Sequence, residues 1–212
     1  MKNILLIGGS TGIGYELSQK LKEDNNLFIA TRDKEKFNDT NIKTNDLNLD
    51  NEFETDWLPD QIDGFVYLPG TINLRPFKGL KPSVFLEDFN INVMGCIKIL
   101  QKVLPKIQAA ENASIVMFST VAVKVGMPFH SSVSSSKGAI EGLTRALAAE
   151  FAPKIRVNAI APSILETPMS EKFLNSETKL DNAKNRHPLK EIGSADDCLL
   201  YTSDAADDWS SG

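Results

Sequence analysis

The chain is short of the residues that mark many other functions. It has two cysteines in 212 residues, and Cys96 and Cys198 show neither metal-binding nor redox spacing. Lysine and arginine number 23 against 28 acidic residues, for a net charge of −5. No electrostatic footprint for nucleic acid or an anionic membrane is therefore expected. No apolar run suits a membrane span, and Met1-Lys2-Asn3 leads into a strand pattern rather than a secretory leader. The absence of such signals makes the reduced cytoplasm the expected location. Internal repeats are lacking. Tyrosine is scarce, at three residues: Tyr15, Tyr67 and Tyr201.

What is present is organised around Gly8-Gly9-Ser10-Thr11-Gly12-Ile13-Gly14. The apolar stretch Asn3–Ile7 precedes it as a strand, and Ile13, Leu17 and Leu21 follow at four-residue spacing on one helix face. Strand, glycine turn and helix start arrive in the order a phosphate site requires. Glycine permits positive φ and close backbone approach, while the first helical N–H groups point at an anion. A plain tight strand-to-helix turn is the alternative reading of this stretch alone.

Further strands are expected at 27–30, 42–44, 64–68, 114–118 and 155–160. Long helices are expected at 87–107 and 132–151. The first carries Val93, Ile97, Leu100, Leu104 and Ile107, with Pro105 near its end. The second carries Ile140, Leu143, Leu147 and Phe151. Strands this apolar, alternating with helices, imply a doubly wound parallel sheet of the Rossmann-like α/β class, with helices on both faces in three α/β/α layers. From Glu166 to Leu189 the chain turns polar around one short helical segment. That stretch is either a cover for the ligand crevice or a plain surface excursion.

Over almost its whole length the chain resembles the short-chain dehydrogenase/reductase family. The resemblance rests on Gly8, Gly12 and Gly14, on Asp46-Leu47, on Asn92-Val93-Met94-Gly95, on Lys137-Gly138-Ala139, and on Arg156–Pro162. Departures are Ile7 for the usual threonine, Tyr67-Leu68-Pro69-Gly70 for Asn-Asn-Ala-Gly, and Ser163 for the usual glycine. The resemblance implies cofactor contacts from Gly8, Ser10, Thr11, Gly12, Ile13 and Gly14. It also implies adenine contacts from Asp46 and Leu47, and nicotinamide-side contacts from Gly70, Lys137, Pro162, Leu165 and Thr167. A homo-oligomer built on the two long helices is implied as well.

The cofactor expected is NADP(H) rather than NAD(H). An acidic residue ending the second strand would pair with the ribose hydroxyls of NAD, but Thr31 stands there, followed by Arg32. A guanidinium can bind a 2′-phosphate bidentately, and Ser10 and Thr11 can add hydroxyls. A solvated loop arginine is the alternative for Arg32.

At the reacting centre the family pattern breaks. The resemblance assigns substrate contact to Thr120, support to Asn92 and Lys137, and proton transfer to a tyrosine four residues before the lysine. That position is Val133, which carries no proton, and no tyrosine lies nearby. Tyr67 reads as a gap filler in the sheet. His130, in the loop feeding the helix, is the better substitute acid. Ser134 lies on a rotated face and is a poor unaided acid. Lys137 can relay a proton through water.

Two functions stay open. One is an NADP(H)-dependent oxidoreductase moving hydride between nicotinamide and a small carbonyl or alcohol substrate, with a weakened or rerouted proton step. The other is a non-catalytic NADP(H)-binding sensor or scaffold. The stretch 198–212 is rich in Asp, Ser and Ala, lacks a strand pattern and resembles a translated sequencing adapter. The expected domain therefore spans 1–197 with a non-native tail at 198–212, and the family's last strand is missing, leaving the sixth as an uncapped edge. A real acidic tail is the alternative.

Overall fold

The computed structural model describes residues 1–37 and 41–199. Six strands form one parallel sheet: β1 (Lys2–Ile7), β2 (Asn25–Thr31), β3 (Ile42–Asp46), β4 (Gly64–Tyr67), β5 (Ala113–Phe118) and β6 (Ile155–Ile160). Their order is β3-β2-β1-β4-β5-β6. The chain winds outward from β1 through β2 to β3, then crosses back to β4. β1 and β4 stay paired to their ends, but the chain leaves β1 toward β2 and β4 toward β5, so the two connections part and open a crevice at the carboxyl termini. Among the described residues β6 pairs on one side only, with β5.

Period-two alternation builds two cores from the same strands. Leu5, Ile7, Phe65, Tyr67, Ile115 and Met117 face one side, and Leu6, Val66, Val116 and Phe118 face the other. On the first side lie Val93, Cys96, Leu100 and Ile107 of one long helix and Ile140 of another. The second side is covered by Leu17 of α1 (Gly12–Leu21), and Cys198 and Leu199 are buried there too. The boundary expected after residue 197 falls at the edge of the described chain, and residues 200–212, with Tyr201 and Trp209, lie outside it.

The first long helix differs from expectation. It begins at Pro82, not Glu87, as α2 (Pro82–Phe89), widens into a π-helical turn at Asn90–Met94, and continues as α3 (Gly95–Gln108). Proline suits the first helical position because its missing N–H costs nothing there. The wide turn breaks the 3.6-residue rhythm, so the apolar stripe of α3 cannot be followed backward into α2. A short α4 (Ala122–Val125) precedes α5 (Ser131–Phe151), the second long helix. All four residues of its expected stripe pack on the first core.

The polar excursion holds two helices where one was expected, α6 (Glu171–Leu174) and α7 (Glu177–Asn185). The Ser176 side chain accepts from Lys179 N, so the extra start has a local cap. A parallel bridge between Leu165 and Gly193 closes the neck of the excursion, and Glu166 N donates to Gly193 O at 3.0 Å. Among the described residues no helix is long and apolar enough to cross a membrane.

Candidate active site

The glycine turn is tied to the sheet by Gly8 N, which donates to Ala30 O at 2.8 Å. Gly8 and Gly12 have φ of 79° and 54°, the left-handed region where a side chain is strained. Gly14 serves close packing instead, since a Cβ there would stand 2.6 Å from Gly8 O. Thr11 makes no side-chain cap bond at the start of α1. A side chain on Gly12 would lie 3.4 Å from Thr167 Cβ, so the turn and the segment after β6 meet across the crevice.

Beyond the turn lies a charged rim. Thr31 is buried and its Oγ1 accepts from Asp33 N, while Arg32 is exposed. Lys34 pairs with Asp46 at 2.8 Å, and Lys36 Nζ donates to Ser10 O at 3.1 Å. Leu47 N donates to Thr31 O at 3.1 Å, holding the Asp46-Leu47 corner against the end of β2. Lys36 also lies 3.5 Å from Asp33, so both lysines of the rim are paired with carboxylates and Arg32 is its exposed cation. Lys34 and Lys36 were not singled out by sequence pattern, though Arg32-Asp33-Lys34-Glu35-Lys36 is a visible signal.

Deeper in, the π-helical turn presents Asn92. Its Nδ2 donates to Asp88 O at 2.7 Å and Thr71 Oγ1 at 3.1 Å, and lies 3.4 Å from Ser136 Oγ. Its Oδ1 is buried without a partner. Gly70 runs between this amide and Lys137: a side chain there would stand 3.2 Å from Asn92 Oδ1 and 3.5 Å from Lys137 Nζ. Burial pushes Lys137 down to about 8, against smaller opposing effects of Cys96 and Asp88. Burial also drives Cys96 up to about 12, partly offset by Lys137.

Asp88, fully buried, is a candidate that the sequence pattern does not mark. Its Oδ1 accepts from Thr71 Oγ1 at 2.5 Å and Asn73 Nδ2 at 2.7 Å, and its Oδ2 from Ser132 Oγ at 2.6 Å. One carboxylate thereby fixes α2, the segment after β4 and the start of α5. Asp88 and Asn92 are four residues apart, a spacing that places both on one helix side. A mid-helix aspartate otherwise reads as a solvated charge.

The crevice has a volume of about 1130 Å³. Of the residues expected around it, Thr11, Gly12, Ile13, Gly14, Gly70 and Thr120 line it, as do Lys137, Pro162, Leu165 and Thr167. Gly8, Asn92 and Thr31 stand behind this wall, and Ser10, Arg32, Asp46 and Leu47 belong to the rim. Val133 lines the crevice directly. Among the described residues no tyrosine does: Tyr67 is buried, donates to Ile91 O at 2.6 Å, and is held far above its usual ionisation range by burial. Tyr15 packs in a tilted arrangement against Phe37 at the second core, ring centroids 6.1 Å apart. His130 lines the crevice with its Nδ1 2.7 Å from Pro128 O, and Ser134 Oγ donates to Ala122 O at 3.3 Å. Ser163 Oγ lies 3.2 Å from His187 Nε2.

These residues fit a dinucleotide. Gly8 and Gly12 hold the turn at positive φ, Arg32 is exposed at the rim, and an unpartnered buried amide oxygen lies near a buried lysine.

Comparison with known proteins agrees with the geometry. The family model described as enoyl-(acyl carrier protein) reductase matches residues 48–212. Dehydrogenase/reductase SDR family member 2, mitochondrial, from Homo sapiens is 26% identical over 218 residues, covering 94% of this chain and 78% of that protein. A 3-oxoacyl-[acyl-carrier-protein] reductase from Thermotoga maritima is 36% identical over 123 residues, covering 58% of this chain and 49% of that one. Among solved structures, ElxO with NADP bound superposes with a TM-score of 0.86 at 26% identity, over 99% of this chain and 92% of that one.

Proposed function

Because the chain belongs to the short-chain dehydrogenase/reductase family, we propose that it is an NADP(H)-dependent oxidoreductase interconverting a carbonyl and an alcohol, with its proton step rerouted around Val133. The observation that carries this reading is the convergence of the glycine turn, Thr120 and Lys137 on one crevice. The nicotinamide, when bound, supplies or takes up the hydride. Preference for NADP(H) is supported by exposed Arg32 at the end of β2, where no carboxylate follows Thr31 directly. ElxO, a structural relative, has a structure with NADP bound.

Each side chain has a distinct task. Thr120 offers a hydroxyl to the substrate oxygen, replacing serine as the hydrogen-bond donor. Lys137 holds the nicotinamide ribose and, with an ionisation near neutrality, delivers the proton to the nascent alkoxide through water. Asn92 keeps one polar atom free beside it to anchor such a water. Asp88 positions the group by fixing Thr71 and Ser132. The test is NADPH consumption by the purified chain across a carbonyl panel. Turnover that falls on Lys137→Met supports the reading.

Val133 favours one rival, a cofactor-binding sensor or scaffold, since the valine deletes the family's proton donor and spares the cofactor contacts. Tight NADPH binding without turnover on that panel would establish the rival instead.

A further inference from the structure

The excursion closing the crevice sorts its charges. Glu171, Glu177 and Asp181 lie off the crevice, whereas Lys172, Lys179 and Arg186 line it. Helical spacing accounts for the sorting on α7, where residues 179, 182, 183 and 186 share one face and all line the crevice. Lys172 stands seven residues before Lys179 on the preceding short helix.

The two lysines meet neutral groups. Lys172 Nζ donates to Ile72 O at 3.2 Å and lies 4.9 Å from the ring of Phe173. Lys179 Nζ donates to Lys172 O at 3.1 Å and Asn175 Oδ1 at 2.8 Å. Among the described residues, none of the three pairs with a carboxylate, and no aspartate or glutamate lines the crevice. The surrounding wall is apolar, with Met127, Phe129, Val133, Met169 and Phe173 on it. Phe129 and Met169 are 55% and 47% exposed, a cost in water that an apolar ligand would remove.

In the reading proposed above, the phosphates of a dinucleotide meet the glycine turn and the Arg32 rim. The excursion's cations are surplus to it. We propose that the crevice takes a carbonyl substrate whose apolar body ends in an anionic group, a carboxylate or a phosphate, received by Lys172, Lys179 and Arg186. This rests on the oxidoreductase reading above and supplies its substrate class. Concave apolar sites gain specificity from a few placed polar groups, and like charges gathered without counter-charges favour an anion at the expense of neutral competitors.

The test uses the full chain saturated with NADPH and titration calorimetry with three probes of matched length: oxo-octanoate, its methyl ester and the corresponding oxo-octyl phosphate. Either anion is expected to bind about tenfold or more tightly than the ester, as a charge-assisted hydrogen bond allows. The tighter of the two identifies the anionic group. Preference should shrink with added salt, vanish in Lys179→Ala/Arg186→Ala, and persist in Arg186→Lys, with melting curves confirming that the variants fold. Equal binding of ester and anions would overturn the proposal, as would variants that lose NADPH affinity instead, since the cations would then serve the cofactor. Tight anion binding without hydride transfer would refute the oxidoreductase reading and leave the anion site standing.

Discussion

Val133 and Lys137 stand one turn apart on α5 and line the same crevice, the valine 4% and the lysine 8% exposed. An inert side chain therefore occupies the position next to a buried, readily deprotonated amine.

Val133→Tyr should restore a direct acid where the crevice has room for one. A positioned general acid contributes about 10²–10⁴-fold, so kcat for carbonyl reduction should rise by at least tenfold, with NADPH affinity unchanged. Steady-state kinetics beside a cofactor titration checks both halves. No gain in kcat would mean that the proton step does not limit turnover.

The pH dependence follows from Lys137. Its ammonium predominates below about 8 and the neutral amine above it. Carbonyl reduction needs the proton and should slow as pH rises through about 8; alcohol oxidation needs the free amine and should speed up over the same range. Paired pH profiles of kcat in the two directions measure this. Lys137→Arg, which stays charged throughout, should flatten both.

Arg32→Ala should weaken NADPH binding by about tenfold or more while changing NADH binding little, because a charge-assisted contact to the 2′-phosphate is lost. The ratio of the two dissociation constants is the readout. A parallel loss for both cofactors would assign Arg32 to general packing.

Asp88→Ala should cost more than about 2 kcal/mol of stability, since Thr71, Asn73 and Ser132 would lose their common acceptor in a buried place. Denaturant unfolding measures the loss. Asp88→Asn, which keeps an acceptor oxygen, should lose less.

The sheet was legible because its strands are short apolar runs at regular intervals, and the observed β6 coincides with the expected 155–160 stretch. The glycine turn was legible because three glycines do work that other residues do badly. What escaped has physical reasons. The helix around Asn92 starts five residues earlier than its stripe suggests, since a π-helical turn shifts the pattern partway along. Asp88 looks solvated until the segment after β4 folds over it. Lys172 and Lys179 sit beside Glu171, Glu177 and Asp181 in sequence, and only the folding of α6 and α7 separates them and brings Arg186 to the same crevice.

The wide turn at Asn90–Met94 has a consequence for how this chain can change. It works as a phase shift between two programmes on one rod: upstream, α2 holds a carboxylate for hydrogen bonds; downstream, α3 feeds Cys96, Ile99 and Val103 to the core. Its five residues sweep about the angle that four sweep in an α-helix, so deleting one residue there would give a regular α-helix and leave α2 and α3 facing as they do. The loss would be local: Asn92, inside the turn, would move against Asp88 O and Thr71 Oγ1 while the core stripe of α3 stayed in place. The widened turn thus admits one more residue into the rod, Asn92's amide included, without disturbing either flank.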